Sequence, residues 1–171
     1  MLEVEIKAYC EDSEALRARI AELGGALEGS LMEEDSYFGH PSRDFAASDE
    51  AFRIRRTSVG SVVTYKGPKI GERSKTRFEK EVAIGDADGF AEILDRLGFR
   101  PAGTVRKSRE LYALEGVHVC LDKVEGLGYF AELEVLSEER EEAERRLFAL
   151  AERLGLSRFE RRSYLELSLE K

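Results

Sequence analysis

Leu2-Glu3-Val4-Glu5-Ile6-Lys7 opens the chain with unbroken alternation of apolar and charged residues. Successive side chains of a β-strand point to opposite faces, so Leu2, Val4 and Ile6 share one face and Glu3, Glu5 and Lys7 the other. A strand with one solvated face alternates in the same way, so this segment alone defines a strand and not a site. The alternation recurs, however, in segment after segment. Arg53 and Arg55 share a face, as do Thr64 and Lys66, Arg77 with Glu79 and Glu81, Lys107 and Arg109, and Glu132 and Glu134. Asp122 adds a carboxylate on the segment before Glu132.

The first strand, near 2–9, is followed by a helix near 13–23 with Leu16, Ile20 and Leu23 as its apolar stripe. Asp12 or Ser13 can cap that helix, and Gly24-Gly25 can stop it. Further strands are expected near 31–38, 51–57, 61–67, 76–84, 104–113, 117–124 and 129–136, and a last one near 161–169. A second helix near 87–97 carries Phe90, Ile93, Leu94 and Leu97, and a third near 138–154 aligns Ala143, Leu147, Leu150 and Leu154. The segments 39–50 and 68–75 read as long loops.

Glu3-Val4-Glu5-Ile6, a helix and Leu23-Gly24 are echoed by Glu79-Lys80-Glu81-Val82, a helix and Leu97-Gly98. The offset is about 75 residues, the mark of an internal repeat. Each helix is followed by a strand with an aromatic, Tyr37-Phe38 or Tyr112, and then by two more strands. The expected fold is therefore α+β: a closed eight-stranded antiparallel β-barrel built from two pseudo-repeated halves, with helices packed outside and a polar lumen. The whole chain, 1–171, is expected to form one domain.

A net charge of -8 excludes a general nucleic-acid or anionic-membrane surface, although local basic clusters can still grip a phosphorylated small molecule. No apolar run reaches membrane-spanning length and no secretory leader is recognisable, so no membrane partner and a cytoplasmic location are expected. Cys10 and Cys120 have no metal-ligand spacing and are expected as buried thiols; His40 and His118 form no cluster.

Unpaired charges inside a barrel cost several kcal/mol each unless paired or metal-bound. A polyphosphate with divalent cations satisfies both signs at once: Arg and Lys bind phosphate oxygens, while carboxylates bind hard cations that bridge to those oxygens. In the loop 68–76, Gly71, Arg73 and Lys75 suit either a phosphate-capturing gate or an ordinary hairpin loop. Tyr37, Phe38, Phe45 and Phe52 suit packing between barrel and helix better than base stacking.

Glu3-Val4-Glu5-Ile6-Lys7 resembles the Glu-x-Glu-x-Lys signature of the CYTH, or triphosphate tunnel metalloenzyme, superfamily. The class IV adenylyl cyclase branch is resembled most, through "DSYFGHPSRDFAASDEAFRIRR" (35–56), "TYKGPKIGERSKTRFEKEV" (64–82), "VRKSRELY" (105–112), "LDKVEGLGYFAELEV" (121–135) and "RRSYLEL" (161–167). The resemblance implies an eight-stranded tunnel holding Mg²⁺ or Mn²⁺ and a triphosphate. Glu3, Glu5 and Glu134 match metal ligands, with Glu132, Asp122, Glu79 and Glu81 as further candidates. Lys7, Arg53, Arg55, Lys66, Arg77, Lys107 and Arg109 match the phosphate-binding set, and Glu3, Glu5, Lys7 and Glu134 the catalytic set.

The activity so implied is conversion of ATP to cyclic AMP and pyrophosphate, in a homodimer. Inorganic tripolyphosphatase or thiamine triphosphatase chemistry uses nearly the same clamp, and a non-catalytic nucleotide or polyphosphate binder is a third reading. Some triphosphatase relatives carry a further lysine near the C-terminus, where this chain offers Arg161, Arg162 and Lys171. That departure disfavours the thiamine triphosphatase reading. Lys7 is expected to bind phosphate, because a general base would need a strongly lowered pKa.

Overall fold

A computed structural model describes residues 1–171. The chain runs β1 (Leu2–Tyr9), α1 (Ser13–Glu22), β2 (Ala26–Gly39), α2 (Phe45–Ser48), β3 (Ala51–Thr57), β4 (Gly60–Lys66), β5 (Glu79–Ile84), α3 (Ala87–Arg96), β6 (Arg100–Leu114), β7 (Val117–Val124), β8 (Gly128–Ser137), α4 (Arg140–Arg153) and α5 (Tyr164–Leu169). All eight strands form one antiparallel sheet in the order β1-β8-β7-β6-β2-β3-β4-β5.

The internal repeat is visible in that order. Each half is strand, helix and three strands, and exchanging β1–β4 with β5–β8 maps the strand order onto itself. β2 and β6 pair at the centre, which leaves the equivalent strands β1 and β5 as the two edges.

The sheet curls but does not close into the expected barrel. The seam is crossed by one bridge, Glu3 with Arg77, and by backbone bonds from Lys75 N to Glu5 O (2.8 Å) and Arg77 N to Glu3 O (3.4 Å). Register explains the gap. Antiparallel pairing centred on Glu3 and Arg77 sets position 79 opposite position 1, so β5 lies beyond the start of β1 and pairs with β4 alone.

The apolar faces of β1, β7 and β8 pack against α1 and α4. Val4, Ile6 and Ala8 meet Leu16 and Ile20 from α1, and Ala143, Leu147, Leu150 and Ala151 from α4. Asp12 caps α1 by accepting from Ala15 N at 3.0 Å, and Gly24, at φ +88°, ends it. α3 packs on β3 but buries only Leu94, leaving Ile93 and Leu97 exposed. No helix is long and apolar enough to cross a membrane.

The last segment is not the expected strand but helix α5. Its capping box decides the matter: Ser163 Oγ accepts from Glu166 N (3.1 Å), and Glu166 Oε2 accepts from Ser163 N (2.9 Å). α5 lies close on β6 at Gly103, where an added Cβ would stand 2.6 Å from Leu165 Cδ1.

Candidate active site

The inner face of the curled sheet encloses a cavity of about 790 Å³. Its wall includes Glu3, Glu5, Glu132 and Glu134 from β1 and β8, with Glu79 and Glu81 from β5. Arg53, Arg55, Lys66, Lys75, Arg77, Lys107 and Arg109 bring positive charge to the same lining. Lys7 and Asp122 do not reach the cavity surface; both lie fully buried behind it.

Strand register forces the acidic cluster. Glu5 stands directly opposite Glu134 in the β1–β8 ladder, an arrangement that is destabilising for like charges. Glu3 joins them, so that one oxygen from each of the three carboxylates lies within 4.8 Å of the others. Burial, reinforced by the carboxylates of Glu134 and Glu79, pushes the Glu3 carboxyl up to about 8. Burial likewise raises Glu134, against the opposing pull of Arg109 and Lys66, and its Oε1 lies 3.8 Å from His118 Nδ1. Three crowded oxygen donors, with no thiol or imidazole among them, fit a hard divalent cation such as Mg²⁺ or Mn²⁺.

The basic residues sit in a different electrostatic setting. Asp35 receives a forked pair of bonds from Arg55 (2.7 and 2.8 Å) and one from Arg53 (3.3 Å). Burial alone would raise the Asp35 carboxyl, but the two guanidinium groups overcome it and hold the group well below the usual carboxylate range. Glu33 lies 3.2 Å from Arg55 and 3.5 Å from Lys107. Arg109 forks onto Asp122 (2.7 and 2.6 Å) and reaches Glu132 at 2.5 Å. Asp122 also accepts from the Tyr164 hydroxyl at 2.7 Å, so its oxygens aim Arg109 and anchor α5.

One donor is left over. Arg53 Nε is buried without an acceptor, which in a folded protein points to a missing acceptor such as an anionic ligand.

Lys66 pairs with Glu79 at 2.6 Å, Thr64 donates to Glu81 at 3.0 Å, and Arg77 donates to the Gly67 carbonyl at 3.2 Å. Lys7 donates to the Arg162 carbonyl and lies 4.2 Å from the centre of the Tyr164 ring, on which Lys107 also packs at 4.9 Å. Burial, with the nearby Lys75 ammonium, pushes Lys7 well below the usual lysine range. The shift is in the direction a base requires, although Lys7 does not line the cavity.

Three residues enter the site that sequence reasoning did not assign to it, Glu33, Asp35 and Tyr164, and Lys75, read as part of a gate or an ordinary hairpin loop, joins them. Glu33 and Asp35 alternate on β2 as the assigned residues do on their strands, but Glu34 between them makes the run resemble a solvated acidic patch. The loop 68–76 is tied down: Lys69 bonds Asp49 through both Nζ (2.7 Å) and backbone N (2.8 Å), and Arg161 donates to the Gly71 carbonyl at 2.8 Å. Phe52 packs with Phe38, Phe90 and Phe99 at centroid distances of 6.3, 6.4 and 6.0 Å, the packing role expected of Phe38 and Phe52. Both cysteines are buried, as expected.

Fold and cavity together define a curled-sheet protein with an ion-lined interior. Residues 1–164 match the CYTH domain, and the chain belongs to that family. It is 40% identical over 172 residues, covering 98% of both chains, to the Methanocaldococcus jannaschii protein named "Putative adenylate cyclase MJ0240". To "Adenylate cyclase CyaB" of Aeromonas hydrophila it is 34% identical over 171 residues, covering 95% of this chain and 86% of that one. The PH1819 protein of Pyrococcus horikoshii has the same fold at 46% identity and a TM-score of 0.91, with 98% of each chain covered. At 20% identity and a TM-score of 0.72, covering 98% of this chain and 95% of the other, the fold is shared with HpAC1 of Hippeastrum, described as having a dominant triphosphatase activity.

Proposed function

We propose that the chain is a divalent-cation-dependent enzyme acting on a triphosphate, and that its reaction is the conversion of ATP to cyclic AMP and pyrophosphate. The observation that supports this reading best is the crowded trio Glu3, Glu5 and Glu134, sharing one cavity with a basic set in which a buried arginine donor lacks an acceptor. The names of two relatives, at 40% and 34% identity, point to the same reaction.

Glu3, Glu5 and Glu134 would hold Mg²⁺ or Mn²⁺, which supplies Lewis acidity to the phosphate oxygens when bound. Arg53, Arg55, Lys66, Arg77, Lys107 and Arg109 grip the triphosphate. In the proposed reaction they would hold the α-phosphorus in line with the ribose 3′-hydroxyl, and their charge would stabilise the oxygens of the departing pyrophosphate. Asp122 and Asp35 act one step back, fixing the guanidinium planes before substrate arrives.

A second reading is hydrolysis of a terminal phosphate. It is favoured by the chemistry of the wall, whose charged groups grip any triphosphate whatever it is attached to. The same fold carries triphosphatase activity in the Hippeastrum protein.

One assay decides between the two. ATP, tripolyphosphate and thiamine triphosphate are supplied separately with Mg²⁺ or Mn²⁺, and the products are resolved. Cyclic AMP with pyrophosphate from ATP is expected; orthophosphate release without cyclic AMP would replace the cyclase reading with the hydrolase.

A further inference from the structure

Where the ladder between β1 and β5 fails, residues 74–77 close the seam as one more short extended strap, bonded to Glu5 O and Glu3 O. Alternation along the strap sends Ser74 and Thr76 outward and Lys75 and Arg77 inward. Ser74 Oγ meets Thr76 Oγ1 at 2.5 Å and donates to Glu144 of α4 at 2.6 Å, and both hydroxyl residues are buried. Arg161 donates to the Ser74 carbonyl at 3.4 Å. The inward side chain, Lys75, reaches Glu5 Oε1 at 2.7 Å and stands 4.0 Å from Glu132. The strap is thus pinned from outside while it delivers one ammonium to the carboxylate cluster.

We propose that Lys75 is the built-in counter-cation of that cluster. It neutralises Glu5 in the ligand-free chain, it competes with a divalent cation for the same carboxylate, and the Ser74–Thr76–Glu144 pin holds it in place. This inference rests on the reading of Glu3, Glu5 and Glu134 as a cation site.

The electrostatics require the competition. Two like charges about 4 Å apart repel at the effective dielectric of a protein site, so the ammonium and a divalent cation cannot both sit on Glu5 without loss. A phosphate group that draws Lys75 away would relieve this repulsion. Anion and cation then bind cooperatively, each raising the affinity for the other by the same factor. The strap thereby disfavours cation binding without substrate.

The test is Mn²⁺ binding, read as loss of the free Mn²⁺ signal in electron paramagnetic resonance, at fixed pH and without phosphate. Lys75→Met should bind Mn²⁺ at least about five-fold more tightly than the parent chain, the lower end of typical coupling between two sites. Lys75→Arg, which keeps a cation on the strap, should stay within two-fold, as a factor set by charge and not by packing requires. Ser74→Ala and Glu144→Gln keep Lys75 but release the pin, and should shift Mn²⁺ affinity in the same direction by less.

Equal or weaker Mn²⁺ binding by Lys75→Met would overturn the proposal. If that variant does not fold, unchanged affinity in both pin variants overturns it instead. Failure of the parent chain and every variant to bind Mn²⁺ would remove the cation site itself, and the counter-cation with it.

Discussion

Glu3 and Asp35 are both carboxylates on strands of the same curled sheet, yet their surroundings push them in opposite directions. Glu3 meets two further carboxylates and is raised to about 8. Asp35 meets two arginines and is held far below its ordinary value. Burial penalises the charged form of both, so the difference comes from neighbours alone. One wall crowds three carboxylates with one ammonium, Lys75, on Glu5, and the other is assembled in advance. The contrast teaches how a single sheet serves a bridged cation–anion ligand: the acidic wall is completed by what binds, and the basic wall is preorganised to bind.

The largest break in this contrast is removal of a ligand carboxylate. Glu5→Gln or Glu134→Gln should lower turnover by more than about 100-fold, beyond the range typical of groups that only support a metal ligand. Turnover measured across a Mn²⁺ titration checks this, and preserved activity at limiting Mn²⁺ would take either residue out of the cation site. Next comes Asp122→Asn, which leaves buried Arg109 with Glu132 as its remaining carboxylate. Breaking one side of a buried ion pair costs about 3–5 kcal/mol, so urea denaturation should show a loss of that order. Arg55→Ala should weaken triphosphate binding by about 2 kcal/mol, the low end for a desolvated charge contact, because Asp35 and Glu33 already share the charge of Arg55. Calorimetry that finds unchanged affinity would place Arg55 outside the clamp.

The last effect is one of pH. In cation-free protein, Glu3 keeps a proton up to about pH 8 that the unfolded chain gives up near 4.5. The folded state binds more protons in that window, so the stability linked to Glu3 is full below pH 4.5 and is lost as pH rises towards 8. Asp35 works the other way: its contribution is present above its unfolded value and fades on acidification. Denaturation in EDTA at several pH values should show the decline between pH 5 and 8, and Glu3→Gln should flatten it.

Much of this was legible in sequence. Period-two alternation located all eight strands of the sheet, because a half-buried strand must separate its faces, and the echo of Glu3-Val4-Glu5-Ile6 in Glu79-Lys80-Glu81-Val82 marked the two halves that the strand order relates. The C-terminal segment misled for the same reason. Leu165, Leu167 and Leu169 alternate with Glu166 and Ser168 as in a strand, while the competing helix signal, Ser163 three residues before Glu166, was present and prevailed. Barrel closure was not legible, since it depends on the register of Glu3 with Arg77 and not on either strand's pattern. Lys75 was read as part of a phosphate-capturing gate or an ordinary hairpin loop and not beside Glu5, because its burial there follows from that same register.

The contrast between the walls is tested most directly by anomalous diffraction at the manganese edge, from crystals grown with Mn²⁺ and a non-hydrolysable ATP analogue. A peak within coordination distance of Glu3, Glu5 and Glu134, with phosphate oxygens on Arg53 and Arg55, is the predicted result. A Mn²⁺ peak away from those three carboxylates, or phosphates bound away from the two arginines, would contradict it.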